Sequence, residues 1–461
     1  MSDIQKTLSP IRIKQRQLIQ GLFARVDISG MVIFRVAFGL VIACYALKQL
    51  TSGNIDFHYT GPQFHFPYLG FEWIRPWSEE GMHLHFIGLA LAGLGVALGL
   101  LYRLSAAALF GLFTYVFLLD RTLYNNHYYL ICLLAAFLNF IPLHRAWSLD
   151  ALVRPRIRTQ TLPAWTLYLL RFQFGIVYFY GGLAKLNFDW INGFPVKMWL
   201  AADTSYPVIG QWFTENWMVQ LIVWGGILID LLAVPLLLWS RTRPYMFCLT
   251  VIFHITNSTL FRIGVFPWMM IFATTLFFPS NWPRRVLRMR DPIQQENERV
   301  SPLHFTRRQQ LGSSLLAVYV LIQLVVPFRH HLYPGDASWT EEGHQFAWRM
   351  MLRDKKCGIR FYAHSWKTGR AGIIDIKPFI NPLQASKLSR SPDMIVQFCQ
   401  FLSDEFERRG MGETEIRVVV LASLNGRKPQ LLVDPTVNMV AQQRGLHHYP
   451  WIVPLQEKLR T

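Results

Sequence analysis

The sequence predicts a polytopic α-helical membrane protein of about nine transmembrane helices, with a C-terminal extracytoplasmic, mostly-β domain. Three observations point there. Of 461 residues, 52% are hydrophobic and 16% are charged, against ~25% charged in soluble domains. The apolar residues gather in runs of roughly 16 to 23, long enough to span a bilayer as helices. From about residue 329 the runs give way to alternating patterns and polar turns.

The first span, 28–50, follows a basic segment (Lys6, Arg12, Lys14, Arg16, Arg25) with no small-residue cleavage pattern behind it, which reads as a signal anchor or first span. Further spans are expected at 83–101, 104–119, 127–143, 163–184, 217–239, 243–261, 264–279 and 311–328. The second and third are joined by only Tyr102-Arg103, a tight hairpin in which Gly93, Gly95 and Gly99 allow close approach. The chain thus divides into a transmembrane domain, 1–328, and an extracytoplasmic β-rich domain, 329–461. In the latter, Asp393–Arg409 has helical spacing (Met394, Ile395, Phe398, Phe401, Leu402, Phe406) with Asp393 as N-cap. The alternating run Glu415–Ser423, the turn Asn425-Gly426 and Gln430–Asp434 form a hairpin signal.

The net charge of +18 does not mark a nucleic-acid binder, because the basic residues fall in short connections between spans. With a cytoplasmic N-terminus, nineteen basic residues lie in inside connections and five in outside ones. That asymmetry supports the count and orientation and puts Lys185, His127, the loop 185–216, the aromatic loop 54–78 and the tail on the outer face. The expected setting is a bacterial inner membrane (or an endoplasmic-reticulum membrane), with lipid as the first partner.

Chemistry-bearing residues are few. Lys185 ends a long apolar segment within Tyr178-Phe-Tyr-Gly-Gly-Leu-Ala-Lys-Leu-Asn-Phe-Asp-Trp190. A lysine there is either a snorkelling anchor or an amine whose partial desolvation makes it a base. Asn125-Asn126-His127 opens the fourth span on the same face, as helix cap or as donors to a developing oxyanion. His254 and Asn257 share a face of the seventh span at i, i+3. Arg35, Arg171 and Asp230 are ionisable residues inside spans, and pairing of Asp230 with one of the two arginines is the structural expectation. The sequon Asn257-Ser-Thr lies at membrane depth, which removes it from modification. The His330-His331 and His447-His448 pairs read as diverging surface histidines, no metal-ligand spacing is present, and the five cysteines give no disulfide framework.

Five separated blocks together resemble the vitamin K-dependent gamma-glutamyl carboxylases. These are Asn125-Asn-His-Tyr-Tyr-Leu130, Tyr178 to Gly193, Phe253-His-Ile-Thr-Asn-Ser-Thr-Leu-Phe-Arg-Ile-Gly-Val-Phe266, Phe346-Ala-Trp-Arg-Met-Met351 and Asp434-Pro-Thr-Val-Asn438. The resemblance implies a carboxylase and epoxidase that uses vitamin K hydroquinone, O2 and CO2 on a glutamate-containing peptide or protein, with no metal. The lysine aligned with Lys185 deprotonates the hydroquinone, oxygen addition makes a strongly basic alkoxide, and that base removes a glutamate γ-proton before CO2 traps the carbanion. By the same resemblance, His127 and Asn126 stabilise oxygenated species, and His254, Asn257 and Tyr178 belong to the cofactor-binding cavity. Phe346, Trp348 and Met350 fall where the glutamate is received. Two departures stand out: Ala184 replaces the first of the two adjacent lysines of animal members, and the chain lacks their long C-terminal extension, which leaves no propeptide surface to assign. A quinol epoxidase that never carboxylates is the alternative enzyme, and a transporter or scaffold the non-enzymatic one. Against transport stands the lack of paired Gly/Pro-broken spans in two related halves.

Overall fold

The computed structural model describes residues 21–261, 264–290 and 306–459. Lys6, Arg12, Lys14 and Arg16 of the basic N-terminal segment lie outside the described residues. Among these residues a helix occupies each apolar segment: α1 (Ser29–Thr51), α2 (Glu79–Leu98), α3 (Tyr102–Leu119), α4 (Asn126–Phe140), α5 (Ala164–Lys185), α6 (Asn216–Leu238), α7 (Arg243–Phe261), α8 (Phe266–Thr274, prolonged by a 3-10 turn, Thr275–Phe277) and α9 (Arg307–Val325). Five are long and apolar enough to cross a membrane: α1, α2, α3, α6 and the stretch Gln309–Leu332 that contains most of α9. Helix α4 and the stretch Phe266–Phe277 are apolar but short. Helices α5 and α7 are long, yet they carry Arg171, Gln173 and Lys185, and His254 and Asn257. By length and composition, five of the nine expected spans therefore qualify. Two of the other four are too short, and α5 and α7 carry polar side chains, of which Gln173, Lys185 and His254 are buried in the protein.

Local signals account for the helix ends. Ser78 caps α2 by accepting from the Gly81 N–H at 3.2 Å, and Asn125 caps α4 by accepting from the Tyr128 N–H at 2.9 Å. Gly99, at φ 61°, closes α2 in the left-handed region that glycine adopts without strain. The glycines of α2 divide between two neighbours, α3 as expected and α1 besides. A Cβ on Gly93 would stand 2.9 Å from the Ala43 nitrogen of α1, and one on Gly39 would stand 2.5 Å from the Gly93 oxygen. The small-residue seam therefore joins α1 to α2, and Gly95 faces α3, at Ser105.

The intramembrane arginines do not pair with Asp230. Arg35 donates to the carbonyls of Leu143, Ala97 and Trp147 at 2.8, 3.2 and 2.8 Å, satisfying oxygens left open near helix ends. Arg171 donates to the carbonyls of Leu276 and Phe278 at 2.8 and 2.9 Å.

Beyond α9 lies an antiparallel sheet in the order β4 (Ala371–Ile373), β3 (Lys355–Ser365), β5 (Thr414–Leu424), β6 (Gln430–Leu431); β1 (Arg25–Asp27) and β2 (Thr161–Pro163) form a separate small ladder in the helical part. The β5–β6 hairpin follows its sequence signal, with Leu421 opposite Leu431 and the turn residues Asn425 and Gly426 at φ 51° and 78°. Alternate residues Ile416, Val418, Val420, Ala422 and Leu424 are fully buried, packed in one core with α11 (Pro392–Arg408) through Ile395, Phe398 and Leu402. A second helix, α10 (Pro382–Leu388), makes this region mixed α and β, not mostly β. Asp393 is not the cap of α11: the chain enters at Ser391. Asp393 instead pairs with Arg121 and accepts from the Tyr449 hydroxyl at 2.7 Å.

The loops expected on the outer face reach this sheet region. Phe66 is fully buried in its core, and Phe64 stacks on Phe401 with centroids 4.3 Å apart. Asp120 accepts from Gln384 at 2.7 Å. Asp189 receives Asn425 at 2.7 Å and two Arg427 guanidinium nitrogens at 2.6 and 2.7 Å. The five cysteines are free thiols, so these polar and aromatic contacts, not disulfides, join the two parts.

Candidate active site

Lys185 is the last residue of α5, and α6 passes beside it. Gly181 and Gly182 permit this approach, because a Cβ on Gly182 would stand 2.8 Å from Leu231 and one on Gly181 3.3 Å from the Asp230 carboxylate. Asp230 Oδ2 thereby lies 2.6 Å from Lys185 Nζ, which also donates to the Gly181 carbonyl at 3.0 Å. Gly226 leaves room for the stem, as its Cβ would sit 3.8 Å from Lys185 Cε. The Trp190 ring lies 5.4 Å from the ammonium, its own N–H held by the Val223 carbonyl at 3.2 Å.

This geometry encloses the amine within the protein. Helix α6 begins at Asn216 and extends about ten residues outward from Gly226, roughly 15 Å at a rise of 1.5 Å per residue. The short helices Phe188–Ile191 and Val196–Ala201 fold back alongside that extension. Lys185 is consequently 7% exposed, walled in by the first turns of α6 and the two short helices. Sequence reasoning misses Asp230 as a site residue because its partner follows from helix register, which no local pattern encodes. A lone carboxylate in an apolar run is the available signal.

Lys185 and Asp230 face a cavity of roughly 1020 Å³ shared by α3 to α8 and the sheet region. His127, Asn126, Tyr178, His254, Asn257, Phe346 and Met350 line it as well. Tyr178 Oη and His254 Nε2 are 2.6 Å apart. Phe266 stands between the two histidines: its ring stacks on His127 at 4.6 Å and meets His254 edge-on at 6.4 Å. The Nδ1 of His127 is buried without a hydrogen-bond partner.

Asn126 is committed elsewhere. It accepts from the Tyr124 hydroxyl at 3.0 Å and donates to the Arg349 carbonyl at 3.1 Å, so it holds the segment that roofs the cavity. That roof, residues 341–351, contains four non-glycine residues in the left-handed region: Glu341, Phe346, Trp348 and Met351, at φ 65°, 59°, 54° and 51°. Each such residue costs of order 1 kcal/mol or more and persists only where its surroundings enforce it. The Tyr124 hydroxyl accepts from the Phe346 N–H at 2.6 Å, and Trp348 stacks on Tyr129 with centroids 4.9 Å apart. Trp348 is fully buried behind the wall and does not line the cavity. Of the three residues expected to receive substrate, Phe346 and Met350 face it and Trp348 supports them.

Nearer the surface the roof carries charge. Arg353 grips Glu341 through two bonds, at 3.0 and 2.5 Å, and reaches His344. Burial, then the charges of Arg353 and Arg349, hold the His344 imidazole well below its ordinary value. His330 and His331 do not diverge: their rings lie 4.1 Å apart, and His330 takes Arg349 at 3.2 Å. His448 pairs with Glu342 at 3.0 Å. Among the described residues no group of three or more His, Cys, Asp or Glu is placed to hold a metal.

Comparison with known families matches both parts of the chain. A family model named HTTM domain covers residues 23–282, and one named Vitamin K-dependent gamma-carboxylase, lumenal domain covers residues 308–458. No solved structure matches.

Proposed function

This chain belongs to the vitamin K-dependent gamma-glutamyl carboxylase family, and on that premise we propose that it carboxylates peptide glutamate, coupled to epoxidation of vitamin K. The observation that carries the reading is the Lys185–Asp230 pair, sealed in a cavity that also holds an unpartnered imidazole nitrogen and runs out to the sheet region. The pair is neutral as a whole. With the lysine's own proton resting on Asp230, Lys185 Nζ would take up the proton of a quinol hydroxyl, so the carboxylate is the final store. Dispersal of the proton over two groups at 2.6 Å lets a buried amine act as base without leaving an isolated charge in a dry site.

The reduced vitamin K, when bound, supplies the oxygen-derived base that a side chain cannot provide. The residues present fit such a group. The volume lies at the upper end of the ~300–1,000 Å³ range of small-molecule pockets, enough for a ring system and a peptide side chain together. Phe266 and Tyr178 offer flat apolar walls, and His127 Nδ1 offers a polar contact at the ring. His254 is oriented by the Tyr178 hydroxyl. Phe346 and Met350 press the peptide side chain inward from the roof, and Asn126 keeps that roof in register. Exclusion of water by Trp190 and the roof protects a base that water would quench. We place nine spans in a bacterial inner membrane, α5 and α7 among them with their polar faces turned to the cavity. Residues 1–328 then form the membrane part and 329–461 face outward, with the N-terminus cytoplasmic.

The test is purified protein in lipid nanodiscs given vitamin K hydroquinone, a short glutamate peptide and labelled bicarbonate. Epoxide together with labelled peptide is expected. Epoxide without label assigns the chain to quinol epoxidation alone, and neither product overturns the enzymatic reading.

A further inference from the structure

Helices α2 and α5 each have one end at the sheet region, through the loop that precedes α2 and through Asp189 just after α5. Their other ends meet in a collar of three segments, 24–30, 145–163 and 280–290. Backbone bonds stitch it together. The Ala164 N–H donates to the Ala24 carbonyl at 2.8 Å, Ile28 to Gln160 at 3.0 Å and Gly30 to Ser280 at 3.0 Å, and β1 pairs with β2. Arg284 ties the third segment to the other two: its Nε donates to Asp27 at 2.7 Å, and its guanidinium lies 5.5 Å from the Trp147 ring. Asp150 accepts from the Leu101 and Tyr102 N–H groups at 2.8 and 2.9 Å, which fixes the collar to the turn between α2 and α3.

Asp27 and Asp150 are the only carboxylates of the collar among the described residues, and both are committed. The collar's arginines other than Arg284 therefore have no free carboxylate within it to pair with. Two of its stretches are exposed at every residue: Leu152-Val153-Arg154-Pro155-Arg156 and Arg285-Val286-Leu287-Arg288-Met289-Arg290. Val153 is 78% exposed and Val286 71%. Arginines alone would suit water, and apolar side chains alone would suit the protein core. Interleaved, both exposed, and set at the ends of α1 and α2, which are long and apolar enough to cross a membrane, they match the boundary of a bilayer. There guanidinium groups reach phosphates while apolar side chains enter the acyl layer.

We propose that this collar docks anionic glycerophospholipids, with headgroup phosphates on Arg154 and Arg156 of one stretch and on Arg288 and Arg290 of the other. Leu152, Val153, Val286 and Leu287 enter the acyl layer beside them, which is what commits the surface to a lipid and not to free phosphate. Each stretch carries its own cations and apolar side chains, so each takes a lipid by itself. The excess of cations selects an anionic headgroup over a zwitterionic one, whose own ammonium opposes the arginines. Since the collar joins the starts of α1 and α5 to the chain that follows α8, a docked lipid braces that junction from outside. The inference stands on the placement of the chain in a membrane and is independent of the carboxylase reading.

The test takes protein purified in a neutral detergent and titrates it with phosphatidylglycerol or with phosphatidylcholine of the same acyl chains, counting bound lipid by native mass spectrometry. The wild-type protein is expected to bind phosphatidylglycerol about tenfold more tightly, and the variant Arg154→Gln/Arg156→Gln/Arg288→Gln/Arg290→Gln is expected to shrink that preference below about twofold. Equal affinities in the wild type, a readout that needs no variant to fold, overturn the proposal, and so does an undiminished preference in the variant. Leu152→Ser/Val153→Ser should weaken binding of both lipids and keep the preference; wild-type affinity in that variant overturns the apolar half of the surface. Inorganic phosphate in large excess should leave phosphatidylglycerol bound, and full displacement by phosphate would show a bare anion site and overturn the lipid assignment. No vitamin K or peptide is present, so each outcome leaves the carboxylase reading where it stands.

Discussion

The two ends of the cavity hold opposite kinds of electrostatics. At the inner end one cation meets one carboxylate at 2.6 Å, walled by Trp190 and Gly226. At the outer end cations outnumber carboxylates and Leu446 meets solvent. The difference separates two tasks. A matched pair in a dry place can move a proton between its members, because no water competes and the net charge there is zero. An unmatched group near solvent is suited to attraction and is weakened by salt. Both are built from the same residue types, and only burial and partner count distinguish them.

The strongest way to break this contrast is to dismantle the inner pair. Lys185→Ala is expected to lower epoxide formation by ~10³-fold, within the range of general-base contributions, while the protein still extracts from membranes as a single species. Asp230→Asn is expected to cost ~10²-fold, since it removes the proton store but leaves the amine. Full epoxidation by either variant, measured on folded protein, would reduce the pair to a structural ion pair.

Next in size is the link between the two ends. Asp189 follows Lys185 on the short helix that walls it in, and it is held by Arg427 and Asn425 at the β5–β6 turn. Arg427→Ala strands a buried carboxylate, which costs roughly 3–5 kcal/mol. The expected result is a lower unfolding temperature and carboxylation that falls further than epoxidation, because the peptide-receiving part loses its anchor first. A variant that loses both activities equally would show that the clamp acts on Lys185 alone.

How much of this is legible in the sequence differs between the two ends. Lys185, His127, His254 and Asn257 are recognisable from their blocks, and the structure gathers all four at one cavity. The hairpin at Asn425-Gly426 is legible because turn chemistry is local. Sequence reasoning gives Asp230 the wrong partner, because a cross-helix contact depends on where Gly181 and Gly182 let two helices touch. It groups Trp348 with Phe346 and Met350, yet left-handed residues in this segment break the simple alternation and turn Trp348 inward. Hydropathy reads α5 and α7 like the other spans, although they trade apolar surface for the polar residues of the site itself.

A smaller effect is expected at the ring-facing imidazole. His127 stacks on Phe266 and has an open Nδ1, so His127→Ala removes one polar contact and one flat wall. Epoxide formation should fall about tenfold, the loss of a single directed hydrogen bond to a charged group, with binding of the quinol little changed in a fluorescence titration. An unchanged epoxidation rate would remove His127 from the chemistry and leave the inner pair as the whole of it.

The smallest effect concerns acid at the outer end. His344 is held well below its ordinary value by burial and then by Arg353 and Arg349, with Lys355 and His330 adding to the same push. Asp393 is also held low: burial opposes this, but Arg121, Arg444 and the Tyr449 hydroxyl prevail. In both cases the folded protein takes up its proton later than the unfolded chain as pH falls. Stability is therefore full well above about pH 6.5, the midpoint at which an unfolded histidine protonates, and declines through and below it, with a second loss below about pH 4 from the carboxylate. A melting series from pH 8 to pH 5 should show the unfolding temperature falling by ~3 °C. His344→Gln should flatten that slope, and a melting temperature that rises on acidification would mean that the outer cluster gains protons on folding, the reverse of the electrostatics assigned to it.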